Sequence, residues 1–251
     1  MAGHSQYKNI MHRKGRQDAR KGKILNKISR EIIVASRGGS ADPASNPRLR
    51  AAIAEAKANS MPRDRIERAI KAGQPGGDDK SNYEALRYEG YGPGSVAIIV
   101  ETLTDNRNRT APELRTIFGK NGGNIGEQNS VLFQFTHLGQ VVYPAAVASA
   151  DAVMEAAIEA GADDVESTDE SHFIRMAVED FGTVVAALEA KFGEPSEAKL
   201  IWTPNVSVAP ALAEAQTLMK LIDALEDQDD VQAVYANFEL TDDVAAALDA
   251  A

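Results

Sequence analysis

Apolar residues recur every three to four positions through the first third of the chain. Further on they alternate with polar ones or gather in short unbroken runs. From Asp18 to Arg37 the apolar set is Ile24, Leu25, Ile28, Ile32 and Ala35, while Arg20, Lys23, Lys27 and Arg30 follow at spacings of three and four. At about 100° per residue these sets occupy nearly opposite faces of one helix. Gly38 and Gly39 close it. Asn46 and Pro47 form a helix start, Asn as cap and Pro in the first turn, with Leu49, Ile53 and Ala56 as the stripe turned inward. Pro62 opens a third helix, Ile66, Ala69 and Ile70 face in, and Gly73 ends it. Three short amphipathic helices make a small bundle over residues 1–76. Residues 73–82, GQPGGDDKSN, have linker composition.

Beyond the linker the pattern mixes strand and helix. SVAIIVETL (Ser95 to Leu103) is rich in β-branched residues, and VLFQF (Val131 to Phe135) alternates, so both read as strands. Between them TAPELRTIFGKNG reads as a helix capped by Thr110, with Glu113 completing a capping box and Pro112 in the first turn. Residues 140–204 predict strand, helix, strand, strand, helix, strand, the order of a ferredoxin-like unit. NVSVAP then offers a short strand, Leu212 to Leu225 a helix and VQAVYANFEL a strand. That last βαβ is too small to fill a domain, so it is assigned to the sheet begun at residues 95–135. The predicted fold is multidomain α and β: an N-terminal helical bundle, then two α+β domains, the ferredoxin-like one inserted into the other. The domains are 1–76, a discontinuous 83–137 plus 205–240, and an inserted 138–204.

Charge sharpens this division. Residues 1–80 hold 18 Lys and Arg against 8 Asp and Glu, a net of +10; the remainder holds 9 against 29, a net of −20. The whole chain has a formal net charge of −10. Such asymmetry predicts a polyanion-binding module joined to an acidic body. No apolar run approaches the roughly 20 residues a membrane helix needs, and the basic start has no apolar core behind it as a signal peptide would. With no cysteine, disulfides and thiolate sites are excluded. A soluble, cytoplasmic protein with no membrane partner is the expectation.

Catalytic chemistry finds little material. His4 and His12 stand eight apart among cations that oppose a metal. His137 reads as a strand end and His172 as a surface residue at a strand start. Asp163-Asp164 and Asp229-Asp230 read as solvated turn pairs. GYGPGS (Gly90 to Ser95) precedes a strand, whereas a dinucleotide loop follows one, so a turn is the better reading. NGGNIG (Asn121 to Gly126) has the form of a helix end plus loop, with a phosphate contact as the minor alternative. The expectation is therefore a non-enzyme with no catalytic residue, no metal and no cofactor.

The basic stretch is more specific. Lys8, Arg13, Lys14, Arg16, Arg20, Lys21 and Lys23 supply charge, and Lys27 and Arg30 carry it along the helix. His4, Ser5, Asn9 and His12 add hydrogen-bonding groups, and Tyr7 can stack on a base. These residues are the predicted nucleic-acid contacts. A second basic group, Arg107, Arg109, Arg115 and Lys120, holds four of the nine cations beyond position 80. It reads either as salt-bridged surface or, with Asn106 and Asn108 beside it, as a second nucleic-acid contact.

MAGHSQYKNIMHRKGRQDARKGK resembles the opening of the YebC/PmpR family, whose usual form is MAGHSxWxNIxHRK followed by Q-D-A and a basic helix. The resemblance continues through NPRLRAAI, MPRDRIERAIK, YEGYGPGSVAIIVETLTDNRNRT and GGNIGEQNSVLFQF, and covers essentially the whole chain. It implies a helical bundle followed by two α+β domains, one inserted in the other. It also implies a DNA-binding transcriptional regulator or, as in the mitochondrial translational activators, a factor acting on translation at the ribosome. No enzymatic activity or cofactor goes with the family. Gln6 and Met11 stand where Lys is common, and Tyr7 where Trp or Phe is usual, which keeps the aromatic and removes two charges. The expected partner is DNA or ribosomal RNA, with the ribosome itself as the alternative target. A phosphate-ligand enzyme using the GYGPG or TDNRNRT loop is a third, weaker reading.

Overall fold

The computed structural model describes residues 21–77 and 81–249. Its elements run α1 (Lys21–Arg37), α2 (Pro47–Ala58), α3 (Arg63–Gly73), β1 (Glu84–Tyr91), β2 (Ala97–Thr104), α4 (Arg107–Lys120) and β3 (Asn124–Ile125). They continue with β4 (Phe135–Pro144), α5 (Ala150–Ala160), β5 (Asp164–Ser167), β6 (Ser171–Met176), α6 (Phe181–Phe192) and β7 (Glu197–Pro204). α7 (Leu212–Glu226), β8 (Val231–Ala236) and α8 (Asp242–Asp249) complete the series. The described residues thus form a helical N-terminal region followed by a mixed α/β part with two four-stranded sheets. Compactness divides the chain into two units, the described parts of residues 1–27, 80–136 and 203–251, and of residues 28–79 and 137–202.

In the second unit the helical stripe falls where periodicity put it. Ile28, Ile32 and Ala35 of α1 are buried, with Leu49, Ala52 and Ala56 of α2 and Ile66 and Ala69 of α3. On α2, Ala52 rather than Ile53 takes the innermost position. Asn46 caps α2 through Oδ1, which accepts from the Leu49 amide at 3.1 Å, and its Nδ2 donates to the Ala35 carbonyl at 2.9 Å. One side chain therefore starts one helix and fastens it to another. Gly73 is required by close approach, because a Cβ there would run into the Ile33 carbonyl oxygen. Gln74 continues that seam, its Nε2 donating to Ser36 O at 2.8 Å and to Ser36 Oγ at 2.6 Å.

The same unit contains a sheet ordered β5-β6-β4-β7, with β4 and β6 antiparallel in the centre. With α5 and α6 this gives the element order of a ferredoxin-like unit. Its core is Val141, Tyr143, Val153, Ala157, Ile174, Met176, Val184 and Leu188. Here the histidine expectations need correction. His172 is buried, not on the surface, because it sits opposite Ser167 across the β5–β6 hairpin. Its Nδ1 lies 2.7 Å from Ser167 Oγ and its Nε2 lies 3.2 Å from the Ala148 carbonyl. A carbonyl only accepts, so Nε2 carries a proton directed at it. His137 stacks on Trp202 with ring centroids 4.3 Å apart.

The first unit is built on a sheet ordered β3-β1-β2-β8. β8 pairs antiparallel with β2 (Ile98↔Ala236, Val100↔Val234), which places the C-terminal strand beside the strand read from AIIV. Ile98 and Val100 face Leu114 and Phe118 of α4 and Leu218, Leu221, Ile222 and Leu225 of α7. Two strand assignments change. Residues 206–208 contribute only an isolated bridge from Val208 to Phe238. Leu132–Gln134 form a short 3-10 turn, and the strand starts at Phe135.

That turn has a clear cause. Glu89 of β1 is buried at 3% exposure, and its carboxylate accepts from three backbone amides: Asn129 at 2.8 Å, Val131 at 2.9 Å and Leu132 at 3.0 Å. Those amides are unavailable to a sheet ladder, so an alternating sequence turns instead of extending. Glu89→Ala is expected to lower stability by about 2–4 kcal/mol, since it strands one buried and two part-buried donors that bonded a charged acceptor. Urea denaturation reads this as a lower midpoint at unchanged slope. A midpoint within error of the parent's would refute the assigned role.

Candidate nucleic-acid interface

The predicted contacts His4, Ser5, Tyr7, Lys8, Asn9, His12, Arg13, Lys14, Arg16 and Arg20 lie outside the described residues, as does the side chain of Lys21. What the structure describes is where the basic face goes next. Lys23 Nζ lies 2.7 Å from Asp227 Oδ2 and 2.9 Å from the Asp227 carbonyl, and Lys27 donates to the Glu226 carbonyl. Both lysines meet the C-terminal end of α7, where unpaired carbonyls and the helix dipole favour cations. Arg30 is half-buried. On the other helices Arg48 pairs with Glu31 at 2.6 Å, Arg63 with Glu67 at 2.8 Å and Arg68 with Asp64 at 2.6 Å. Such exposed pairs are worth little in stability, and a phosphate can displace the carboxylate.

The second basic group is built by the β2–α4 connection. Asn106, not Thr110, caps α4: its Oδ1 accepts from the Arg109 amide at 3.2 Å. The helix therefore starts four residues earlier than the sequence suggested, and Pro112 falls inside it rather than in the first turn. Thr110 has a different task. It is fully buried, and its hydroxyl lies 2.7 Å from Asp230 Oδ2. Thr104 Oγ1 lies 3.1 Å from the same oxygen and accepts from the Asn106 amide at 2.9 Å. Arg109 Nη2 completes the set, 2.9 Å and 3.2 Å from the two carboxylate oxygens and 3.1 Å from Asp105 Oδ1.

Asp230 is thus buried, contrary to the expectation of a solvated turn pair. Burial pushes its carboxyl up. Hydrogen bonds from Arg109 and Thr110, the Arg109 charge and the Thr104 hydroxyl outweigh that, and hold it below the usual aspartate range. No signal in the DQDD string marks its last aspartate, because the partners lie 120 to 126 residues away in sequence.

The group therefore splits. Arg109 braces the loop and leaves Arg107, Asn108 and Arg115 exposed. At 100° per residue these three fall within one third of the helix circumference, while Lys120 projects from another side near the azimuth of Glu113. The glycine loops offer no phosphate cradle. A Cβ on Gly94 would meet Glu214 Oε2 at 3.2 Å, so a carboxylate faces the GYGPGS turn, and Gly123 packs on Leu221 and Phe118. Among the described residues no helix is long and apolar enough to cross a membrane.

Comparison with known proteins accounts for both parts of the chain. Residues 5–76 match the family model described as the TACO1/YebC protein N-terminal domain. Residues 83–238 match the model described as the TACO1/YebC second and third domain. Among solved structures, the conserved hypothetical protein Aq1575 from Aquifex aeolicus superposes with a TM-score of 0.80 at 43% identity. That match covers 91% of this chain and 94% of the other. With family models spanning nearly all of its length, this chain belongs to the TACO1/YebC family.

Proposed function

We propose that the protein is a non-enzymatic, nucleic-acid-binding regulator of gene expression, of the DNA-binding transcriptional kind. Membership in a regulatory family supports a role in transcription or translation. The observation that carries the nucleic-acid reading is the separation of charge, +10 over residues 1–80 against −20 over the rest. Residues 1–76 form the binding module, with His4, Ser5, Tyr7, Lys8, Asn9, His12, Arg13, Lys14, Arg16, Arg20, Lys21, Lys23, Lys27 and Arg30 as its contacts. It is followed in sequence by a domain of residues 83–137 plus 205–240, with 138–204 inserted. The pairing of β8 with β2 and the separate sheet of β4 to β7 support that organisation. Lys23 and Lys27 exchange their α7 contacts for phosphates on binding. The protein works in the cytoplasm.

A second reading, an RNA- or ribosome-associated translation factor, is favoured by one specific feature. Tyr7 and the hydrogen-bonding His4, Ser5, Asn9 and His12 are interleaved with the cations, which suits unpaired RNA better than a uniform duplex. Sedimentation of cell lysate on a sucrose gradient, with and without RNase and at two salt concentrations, separates the two. A protein that stays at the top in every condition while preferring one duplex sequence is a transcriptional regulator. Comigration with ribosomes that RNase abolishes identifies the translation factor.

The α4 face is assigned a supporting contact through Arg107, Asn108 and Arg115. Reversing Arg107 and Arg115 to Glu is expected to lower the slope of log affinity against log salt by about 2. Arg109→Lys is expected to leave that slope unchanged, because Arg109 is engaged with Asp230. Equal slopes for the double variant and the parent would remove α4 from the interface.

A further inference from the structure

We propose that Phe133 is a stacking platform for an unpaired nucleobase, so that the protein grips single-stranded or looped nucleic acid at a point separate from its basic terminus. The inference rests on the nucleic-acid reading above and names the class of ligand. At 73% exposure Phe133 is the most exposed large apolar side chain among the described residues. An isolated exposed apolar residue is ordinary. What sets this one apart is how firmly its backbone is held. Glu89 clamps the amides of Asn129, Val131 and Leu132 just before it. Val131 and Phe135, on either side, are both buried. Asn205 fastens the other side: its amide donates to the Gln134 carbonyl at 2.8 Å and its Nδ2 to the Phe133 carbonyl at 3.4 Å. A ring displayed on so fixed a turn loses little conformational freedom when something stacks on it.

The surroundings select the ligand. Val206, 67% exposed, follows Asn205 in the chain. In this unit the only other large exposed apolar side chain among the described residues is Leu212. Two or three side chains fall far short of the roughly 800 Å² per partner that a stable protein interface buries. One flat ring matches one base. Gln128, Asn129, Thr136 and Asn205, all exposed, lie within a few residues of Phe133 or its bonded partner; Thr136 Oγ1 donates to Asn205 Oδ1 at 2.6 Å, and Glu127 is the one exposed carboxylate in the same stretch. Such groups donate to and accept from base edges, which are available only where the base is unpaired.

The test measures binding of the full-length protein by fluorescence anisotropy to three probes of equal length: a mixed-sequence single-stranded RNA, the same sequence as single-stranded DNA, and duplex DNA. Phe133→Ala should weaken both single strands roughly 5- to 150-fold, the range for losing one base–aromatic stack. It should leave duplex affinity and the melting temperature unchanged. Phe133→Trp should restore single-strand affinity, and its added indole emission should be quenched on binding. Unchanged single-strand affinity in Phe133→Ala overturns the platform, as does an equal loss on duplex. A parent protein that binds none of the three probes overturns the nucleic-acid reading itself, and this inference with it.

Discussion

Reversing Arg13, Lys14 and Arg16 to Glu should abolish nucleic-acid binding at physiological salt while leaving the fold intact. Polyanion affinity comes chiefly from releasing the counterions of each neutralised phosphate, so three lost contacts lower the salt slope by about 3. Three new carboxylates then repel the same phosphates, and the acidic body, at −20, offers no compensating field. Circular dichroism should match the parent, because these positions precede the helical stripe of Ile28, Ile32 and Ala35 that carries the packing. Residual binding at low salt should be weak and indifferent to sequence. Undiminished binding would place the contact surface elsewhere in the chain.

The second large effect is on stability. Asp230→Ala should cost about 3 kcal/mol, because it removes the charged acceptor shared by two buried threonine hydroxyls and Arg109. Thr104 keeps a hydroxyl with no acceptor in a buried site, Thr110 falls back on the Asn106 carbonyl and the Thr104 hydroxyl, and Arg109 loses the anchor that fixes the start of α4. Arg109 is 46% exposed, so solvent screens its share and most of the cost comes from the threonines. For a chain of this size the melting temperature should fall by roughly 6–12 °C. The pH dependence has a definite sign. Asp230 titrates lower in the folded than in the unfolded chain, so its contribution is complete above the ordinary value of 3.8 and vanishes as pH falls through the folded value. Asp230→Asn should therefore be less stable than the parent at neutral pH and flatter along the acid limb. A variant whose stability falls in parallel with the parent's below pH 4 would show that the cluster does not set acid sensitivity.

These two sites show where a single sequence is legible. Periodicity located the α1 stripe, and the Asn46-Pro47 start of α2 came out as its capping chemistry requires. The AIIV run became the central strand β2. These signals are local. β1 escaped notice because EALRYEGY carries Glu84, Arg87, Glu89 and Gly90, a poor strand by composition. Its Glu89 tolerates burial because three amides about forty residues away bond it and Arg87 lies 3.8 Å from it. The same bonds explain why VLFQF, a strand by alternation, starts with a turn. Asp230 and Thr110 were misassigned for the same reason: a carboxylate in a turn string and a cap-like threonine become buried partners across 120 residues. Charge segregation, by contrast, needs no long-range contact to be seen, and it is the ground on which the basic module is proposed.

The central claim is that this module grips a polyanion. It is tested most directly by the equilibrium affinity of the full-length parent protein for a structured RNA and for duplex DNA, measured across 50–300 mM salt. The account predicts a straight line of log affinity against log salt for at least one of the two, with a slope of about −4 or steeper, set by the cations of the opening stretch and α1. A flat line for both, or affinity too weak to measure at the lowest salt, would contradict it.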